Sequence, residues 1–350
     1  MKDSSPENPG VSYARITRRR LYLLIVMSVV LVLSVAIDIS TGPSGLPFST
    51  IIKGLFFPDS INQTDKVILW SIRLPYALMA VVVGASLGLA GAETQTALNN
   101  PLASPYTLGI SWAATLGAVF AIIIGLDKFG LSQNIAVPLT AFIFSFIAGL
   151  GIIMLAQIFG SRTETIILFG ISLVFLCTAF IYLLQFIANA DDVQQSVFWS
   201  MGSLARASWE KVGIVALIFM LVAPFSYRNA WSMTLLRCGE QQASSSGLSV
   251  HRLRLICFFR ACLLAAIAVS FAGAIGFIGL VGPHIARLAL GEDHRFYLPG
   301  AALTGALLLS LASICSKLIV TGVILPVGIV TALIGVPVFV ALIVSSRRMR

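Results

Sequence analysis

Nine unbroken apolar runs dominate this chain and leave it few ways to fold. They occupy residues 21–37, 67–91, 106–126, 135–159, 165–188, 212–227, 255–274, 298–320 and 326–344. A helix that crosses the bilayer needs roughly 20 mainly apolar residues. Transmembrane strands instead need alternating polarity over about ten residues, and these runs do not alternate, so a barrel is excluded. With 11% charged residues and a mean hydropathy of +0.96, the chain lies outside the range of soluble globular domains. The expectation is an all-α polytopic membrane protein with about ten transmembrane helices, at about 35 residues per helix and connection. No soluble domain or short repeat interrupts it, so residues 1–350 read as a single transmembrane domain.

The net charge of +9 raises the question of nucleic acid, and its placement answers it. Basic residues gather in the lead over residues 1–20 (Arg15, Arg18, Arg19, Arg20), at Arg237, Arg252 and Arg254, near Arg287 and Arg295, and at Arg347, Arg348 and Arg350. Positive residues collect on cytoplasmic loops, which places all these segments inside. The loop 189–195 carries Asp191 and Asp192 with no basic residue, which suits the outside. Both termini are then cytoplasmic and the number of spans is even. The first run is long for a secretory signal and lacks a small-residue cleavage pattern, so it reads as an uncleaved span.

Several segments depart from plain helix. Residues 38–66 should face outside, and "SVFWSMGSL" within 189–211 is too short to span and fits an interfacial helix. In "NNPLASPYTLG" (99–109), Ser104 can cap a new helix with Pro105 at its first position. Gly273, Gly276, Gly279 and Gly282 recur every three residues, which disfavours regular helix. Irregular backbone is expected there, followed by a short helix over about 283–290. Such backbone persists at membrane depth only when buried in protein or lining a cavity. If that segment, near 276–291, also crosses, the spans number an even ten. The polar stretch "LLRCGEQQASSSGLSVHRLR" (235–254) is far longer than a connector requires, and it should face the cytoplasm.

Signals for chemistry are sparse. His251, His284 and His294 have no metal-ligand spacing, and His284 beside Pro283 reads as packing or capping. No phosphate-binding GxxxxGK[ST] loop is present, so this chain does not itself cradle ATP in that manner. Cys177, Cys238, Cys257, Cys262 and Cys315 show no framework spacing and read as small buried hydrophobes. Among the acids, Glu93 and Glu164 stand closest to the membrane. Gly84 and Gly88 form a small-xxx-small pair suited to close helix packing.

These motifs converge on a family. The chain resembles the FecCD-type permeases, the membrane subunits of bacterial importers for ferric siderophores, haem and cobalamin. The likeness runs from "RLP" (73–75) through "VGASLGLAGAETQTALNNPLASPYTLGIS", "GEQQASSSGLSV", "GFIGLVGPHIARLALGEDHRFYLPG" and "LPVGIVTALIGVPVF", in that order, over more than three-quarters of the chain. It implies ten helices in a multi-pass protein of the bacterial inner membrane and a second permease copy or homologue. It also implies separate ABC ATPase subunits that carry the ATP, a periplasmic substrate-binding protein, and no cofactor in this chain. The polar stretch, within 229–254, becomes a cytoplasmic coupling segment docking into the ATPase. There Gly239, Ala243 and Gly247, at four-residue spacing, would line one small-sided helix face, and Glu240 with its neighbouring glutamines would keep the free segment soluble.

The resemblance further implies an inner gate at Asn100 and Leu102, joined by Thr163 and Glu164. It matches Arg73 and Lys317 to external basic residues that receive acids of the binding protein; Tyr76 stands where the family usually has another arginine. The leading reading is therefore an ATP-driven importer permease, not an enzyme, with ferric siderophore as first cargo and haem or cobalamin as alternatives. An ion-coupled secondary transporter is the runner-up, opposed by the lack of acids amid the runs and by the long coupling stretch. A membrane-embedded enzyme comes third, for want of a catalytic constellation.

Overall fold

A computed structural model describes residues 9–159, 163–320 and 322–348. Arg350 and the first eight residues of the basic lead lie outside the described residues. The described chain is helical and contains no strand. In order the helices are α1 (Pro9–Ser40), α2 (Phe48–Phe56), α3 (Gln63–Val67), α4 (Leu74–Ala97), α5 (Ile110–Ile124), α6 (Gln133–Ile158), α7 (Thr163–Ile187) and α8 (Ala190–Ser200). There follow α9 (Trp209–Arg228), α10 (Ala230–Arg237), α11 (Glu240–Ser245), α12 (Val250–Ala272), α13 (Ile278–Leu290), α14 (His294–Leu318) and α15 (Val327–Arg348).

Seven helices are long and apolar enough to span a membrane, and three shorter apolar ones lie at 110–124, 278–290 and 327–338. Together they make the ten expected apolar helices among the described residues. Helix α1 begins at Pro9, so the described part of the lead is the first span's own helical extension. It runs parallel to α14, with Arg20 against Asp293 at one end and the Ser34 and Ser310 hydroxyls 2.8 Å apart further along. That end gathers Arg20, Arg237, Arg254, Arg287 and Arg295, which marks it as cytoplasmic. Helix α8 is the short helix anticipated near 196–204; it starts earlier, where the Asn189 side chain accepts from the Asp192 N–H.

Helix α4 is the centre of the subunit; only Leu78, Val81 and Val82 among its residues escape full burial. It enters through a widened π turn over Ile68–Arg73, just before Pro75, whose missing N–H cannot complete a regular turn. Its glycines carry the packing. A Cβ on Gly84 would lie 2.4 Å from the Gly305 carbonyl, one on Gly88 2.2 Å from the Ala301 carbonyl, and one on Gly91 1.8 Å from the Gly279 carbonyl. Helices α13 and α14 thus meet α4 backbone to backbone, as the Gly84/Gly88 spacing foretold.

Two expected boundaries are corrected. Helix α13 starts at Ile278, not near 283, and holds Gly279 and Gly282 in regular helix. Those glycines serve close approach, Gly279 to Leu87 and Gly282 to Gly305, and the irregular backbone is confined to 273–277. Helix α5 starts at Ile110, because the turn capped by Ser104, whose hydroxyl accepts from the Thr107 N–H, ends at Gly109 with φ of 83°. Of the cysteines, Cys177, Cys257 and Cys262 are buried as expected, whereas Cys238 is exposed at the end of α10.

Replacing Gly84 with Val should lower thermal stability in detergent by about 1–3 kcal/mol or more, since a backbone carbonyl must move to admit the side chain. Gly213→Ala, inside α9 with nothing within 4 Å of the added methyl, should leave stability unchanged or raise it by up to about 1 kcal/mol.

Candidate functional site: the cytoplasmic end of helix α4 and the elbow beside it

The sequence "ALNNP" ends α4 in a defined way. Asn99 takes a left-handed φ of 47°, its N–H bonds to the Thr96 carbonyl, and the Asn100 N–H reaches back to the Gln95 carbonyl at 3.0 Å. This is a Schellman cap with asparagine where glycine is commonest, followed by a proline that cannot extend the helix. The cap leaves the carbonyls of Ala97 and Leu98 without partners inside the helix.

Distant residues supply them. Arg254, on the first turns of α12, donates its Nε to the Ala97 carbonyl at 2.9 Å. Thr163, opening α7, donates its hydroxyl to the Leu98 carbonyl at 2.8 Å. The same Arg254 guanidinium pairs through Nη2 with Glu240, the first residue of α11. Arg237, the last residue of α10, donates one nitrogen to Asn99 and another to Glu292. His294 stands between Thr96 of α4 at 2.8 Å and Thr234 of α10 at 3.2 Å. The polar segment is thereby bonded to the α4 terminus from both of its short helices.

Electrostatics reinforce the arrangement. Partial burial pushes the Glu292 carboxyl up, but the hydrogen bond and charge of Arg237, with Arg287 beyond it, outweigh this and hold it below the usual carboxylate range. It is therefore ionised at neutral pH between two arginines, with Arg287 Nε 3.7 Å away. Arg287 also donates to Gln95 Oε1 at 2.9 Å, tying α13 to the last turn of α4.

Of the residues expected at a gate, Asn100 turns its Oδ1 back to accept the Leu102 N–H at 2.9 Å, which fixes the loop. Leu102 itself is 49% exposed, so it projects from the loop. Thr163 is bonded to the same terminus, whereas Glu164 is exposed in the first turn of α7 and makes no hydrogen bond or ion pair among the described residues.

The expected small-sided face does not form. Helix α11 spans only Glu240–Ser245, with Gly239 (φ 128°) and Gly247 (φ 82°) outside it at chain reversals. Ala243 is fully buried within the subunit, so it anchors the elbow and is not on its surface. The exposed residues of this stretch are Glu240, Gln241, Gln242, Ser244, Ser245, Ser246 and Gly247.

The expected external cations are corrected too. Arg73 and Lys317 are 4% and 8% exposed. Arg73 donates to the carbonyls of Ile39 and Ser40, the unpartnered C-terminal end of α1, at 2.9 and 3.1 Å. Lys317 bonds Asp38 at 2.8 Å and lies 4.4 Å over the Tyr76 ring. Both charges hold α1 in place and neither is free to meet an acidic partner. Asp38 and Glu93, which bonds Arg260 at 2.9 Å, are also deep acids within helices, and each is neutralised by a paired cation.

A cavity of about 290 Å³ opens at the irregular segment, lined by Tyr106, Trp112, Thr115, Gly276 and Phe277 among others. Phe277 holds a left-handed φ of 67°, a conformation bulky residues rarely adopt. Broken backbone thus lines a cavity, one of the two settings in which a membrane protein tolerates it.

Residues 29–345 match the model of the FecCD transport family. The hemin transport system permease protein HmuU of Yersinia pestis is 34% identical, across 95% of this chain and 97% of that protein. The vitamin B12 import system permease protein BtuC of Citrobacter koseri is 33% identical, across 95% and 96%. Among solved structures, the inward-facing conformation of a metal-chelate type ABC transporter superposes with a TM-score of 0.81 at 28% identity, covering 93% of this chain and 99% of that one.

Lys317→Met should cost about 3–5 kcal/mol of stability by leaving Asp38 charged and buried alone. The double variant Asp38→Asn/Lys317→Met should recover most of that loss in thermal unfolding. Equal destabilisation by single and double variants would show that the pair is not coupled.

Proposed function

The chain belongs to the FecCD transport family, and from that premise we propose that this multi-pass permease imports an iron chelate, a ferric siderophore first among them. Energy comes from ATP hydrolysed on separate ABC ATPase subunits, and a periplasmic binding protein delivers the cargo. A second permease copy or homologue completes the path, as membership of this family implies. The chain binds no cofactor of its own in this reading.

The observation that carries the proposal is the bonding of the elbow to the α4 terminus. The ATPase docks on the exposed polar side of α11, with Gly239 and Gly247 bracketing it and Glu240 at its start. A push on α11 then reaches Ala97 through Glu240 and Arg254, and reaches Asn99 through α10 and Arg237. Those backbone atoms set the loop bearing Asn100 and Leu102, and Thr163 brings α7 to the same point. Glu164, exposed beside it, faces the cytoplasmic mouth. Haem and cobalamin are the second reading, favoured by the names of HmuU and BtuC. Ion-coupled transport is disfavoured because Asp38 and Glu93 are each held in an ion pair.

Proteoliposomes containing this chain, its ATPase subunits and its binding protein should accumulate ferric siderophore only when ATP is supplied. Accumulation of haemin or cobalamin in its place would reassign the cargo. Uptake driven by a proton or sodium gradient without ATP would overturn the importer reading.

A further inference from the structure

Helices α9 and α12 run antiparallel on the cytoplasmic half of the subunit and leave a groove of about 680 Å³ between them. Its walls are apolar: Leu221 and Phe225 on α9 face Ile256 and Phe259 on α12. These four side chains are 37–58% exposed, so the groove opens outward from the helices. At its cytoplasmic mouth stand Arg228, the last residue of α9, and Arg252, on the first turn of α12. Neither forms an ion pair among the described residues. A third arginine, Arg260, lies eight residues further along α12, about 12 Å deeper. Its charge is already matched by Glu93, and its Nη1 donates to the Phe225 carbonyl at 3.3 Å, which bonds the two helices together at that depth.

The groove therefore presents two unmatched positive charges at the level of the lipid headgroups, above an apolar channel. Positive residues at a cytoplasmic boundary are common, but that tendency does not require an apolar channel beneath them. We propose that the groove binds an anionic phospholipid of the cytoplasmic leaflet, with its phosphate between Arg228 and Arg252 and an acyl chain along Phe225 and Phe259. A basic pocket between helices on the cytoplasmic side is the chemistry that selects such headgroups. The site also flanks the elbow: Arg228 lies two residues before α10, and Arg252 seven residues after α11. Bound lipid thus braces both roots of the polar segment.

The test uses the full chain purified in a neutral detergent and titrated with dioleoyl phosphatidylglycerol, with dioleoyl phosphatidylcholine, and with glycerol phosphate lacking acyl chains. Native mass spectrometry reads the bound species. Phosphatidylglycerol should bind saturably and in preference to phosphatidylcholine, and glycerol phosphate should compete poorly. The double variant Arg228→Gln/Arg252→Gln should weaken phosphatidylglycerol binding by about thirtyfold, from the loss of two headgroup charges. Arg228→Lys/Arg252→Lys should retain most of it. Three results would each overturn the proposal: equal retention of the two lipids by the wild type, unchanged binding by the glutamine variant, or competition by glycerol phosphate as strong as by the lipid.

Discussion

The approach of α4 to α13 and α14 is closer than any side chain permits, and most of the subunit follows from it. At Gly84, Gly88 and Gly91 a single added carbon would lie within 2.4 Å of a neighbouring carbonyl oxygen. In lipid, helices gain little from apolar burial against one another and associate through packing and polar contacts. Backbone contact of this kind makes α4 an axle enclosed by its neighbours. An enclosed helix must then satisfy every polar group it carries from within the protein. Glu93 meets Arg260, Gln95 meets Arg287 and the Leu280 carbonyl, and Thr96 meets His294.

The same necessity shapes the functional end. A helix that stops at a Schellman cap leaves two carbonyls unmet, and in a buried setting they call for donors. Arg254 and Thr163 are those donors, so the end of α4 is bonded to α12 and α7, and through Glu240 to α11. Under the proposed coupling, that structural obligation and the path for force are the same set of bonds. Only a few bonds separate the elbow from the loop bearing Asn100 and Leu102.

Much of this was legible in the sequence, and the failures share a cause. Nine unbroken apolar runs and the glycine-rich segment near 276–291 together pointed to the ten apolar helices, and the Gly84–Gly88 spacing revealed close packing. The glycines of 273–282 misled in part, since glycine serves both broken backbone, as at Gly273, and close approach, as at Gly279 and Gly282; only the neighbouring helix distinguishes them. Arg73 and Lys317 read as surface charges because their partners, the end of α1 and Asp38, lie about 30 and 280 residues away in the chain. Ala243 read as surface because the Gly239–Ala243–Gly247 spacing assumed a longer helix than the one that forms over Glu240–Ser245. Arg237 and Arg254 were visible only as cytoplasmic charge, although the "NNP" ending of α4, with asparagine before proline, signalled a cap whose carbonyls would need donors. Arg260 inside an apolar run was the unused signal for the Glu93 pair.

The central claim is that the polar elbow and the α4 terminus move as one body. Spin labels on cysteines at Gln242 and Leu102, both exposed, in an otherwise cysteine-free chain assembled with its ATPase subunits, test it most directly. Their separation should stay the same with and without bound nucleotide, and the Arg254→Gln variant should broaden the distance distribution. A separation that changes on nucleotide binding in the wild type would contradict the account, because the elbow would then slide past the loop bearing Leu102 and not carry it.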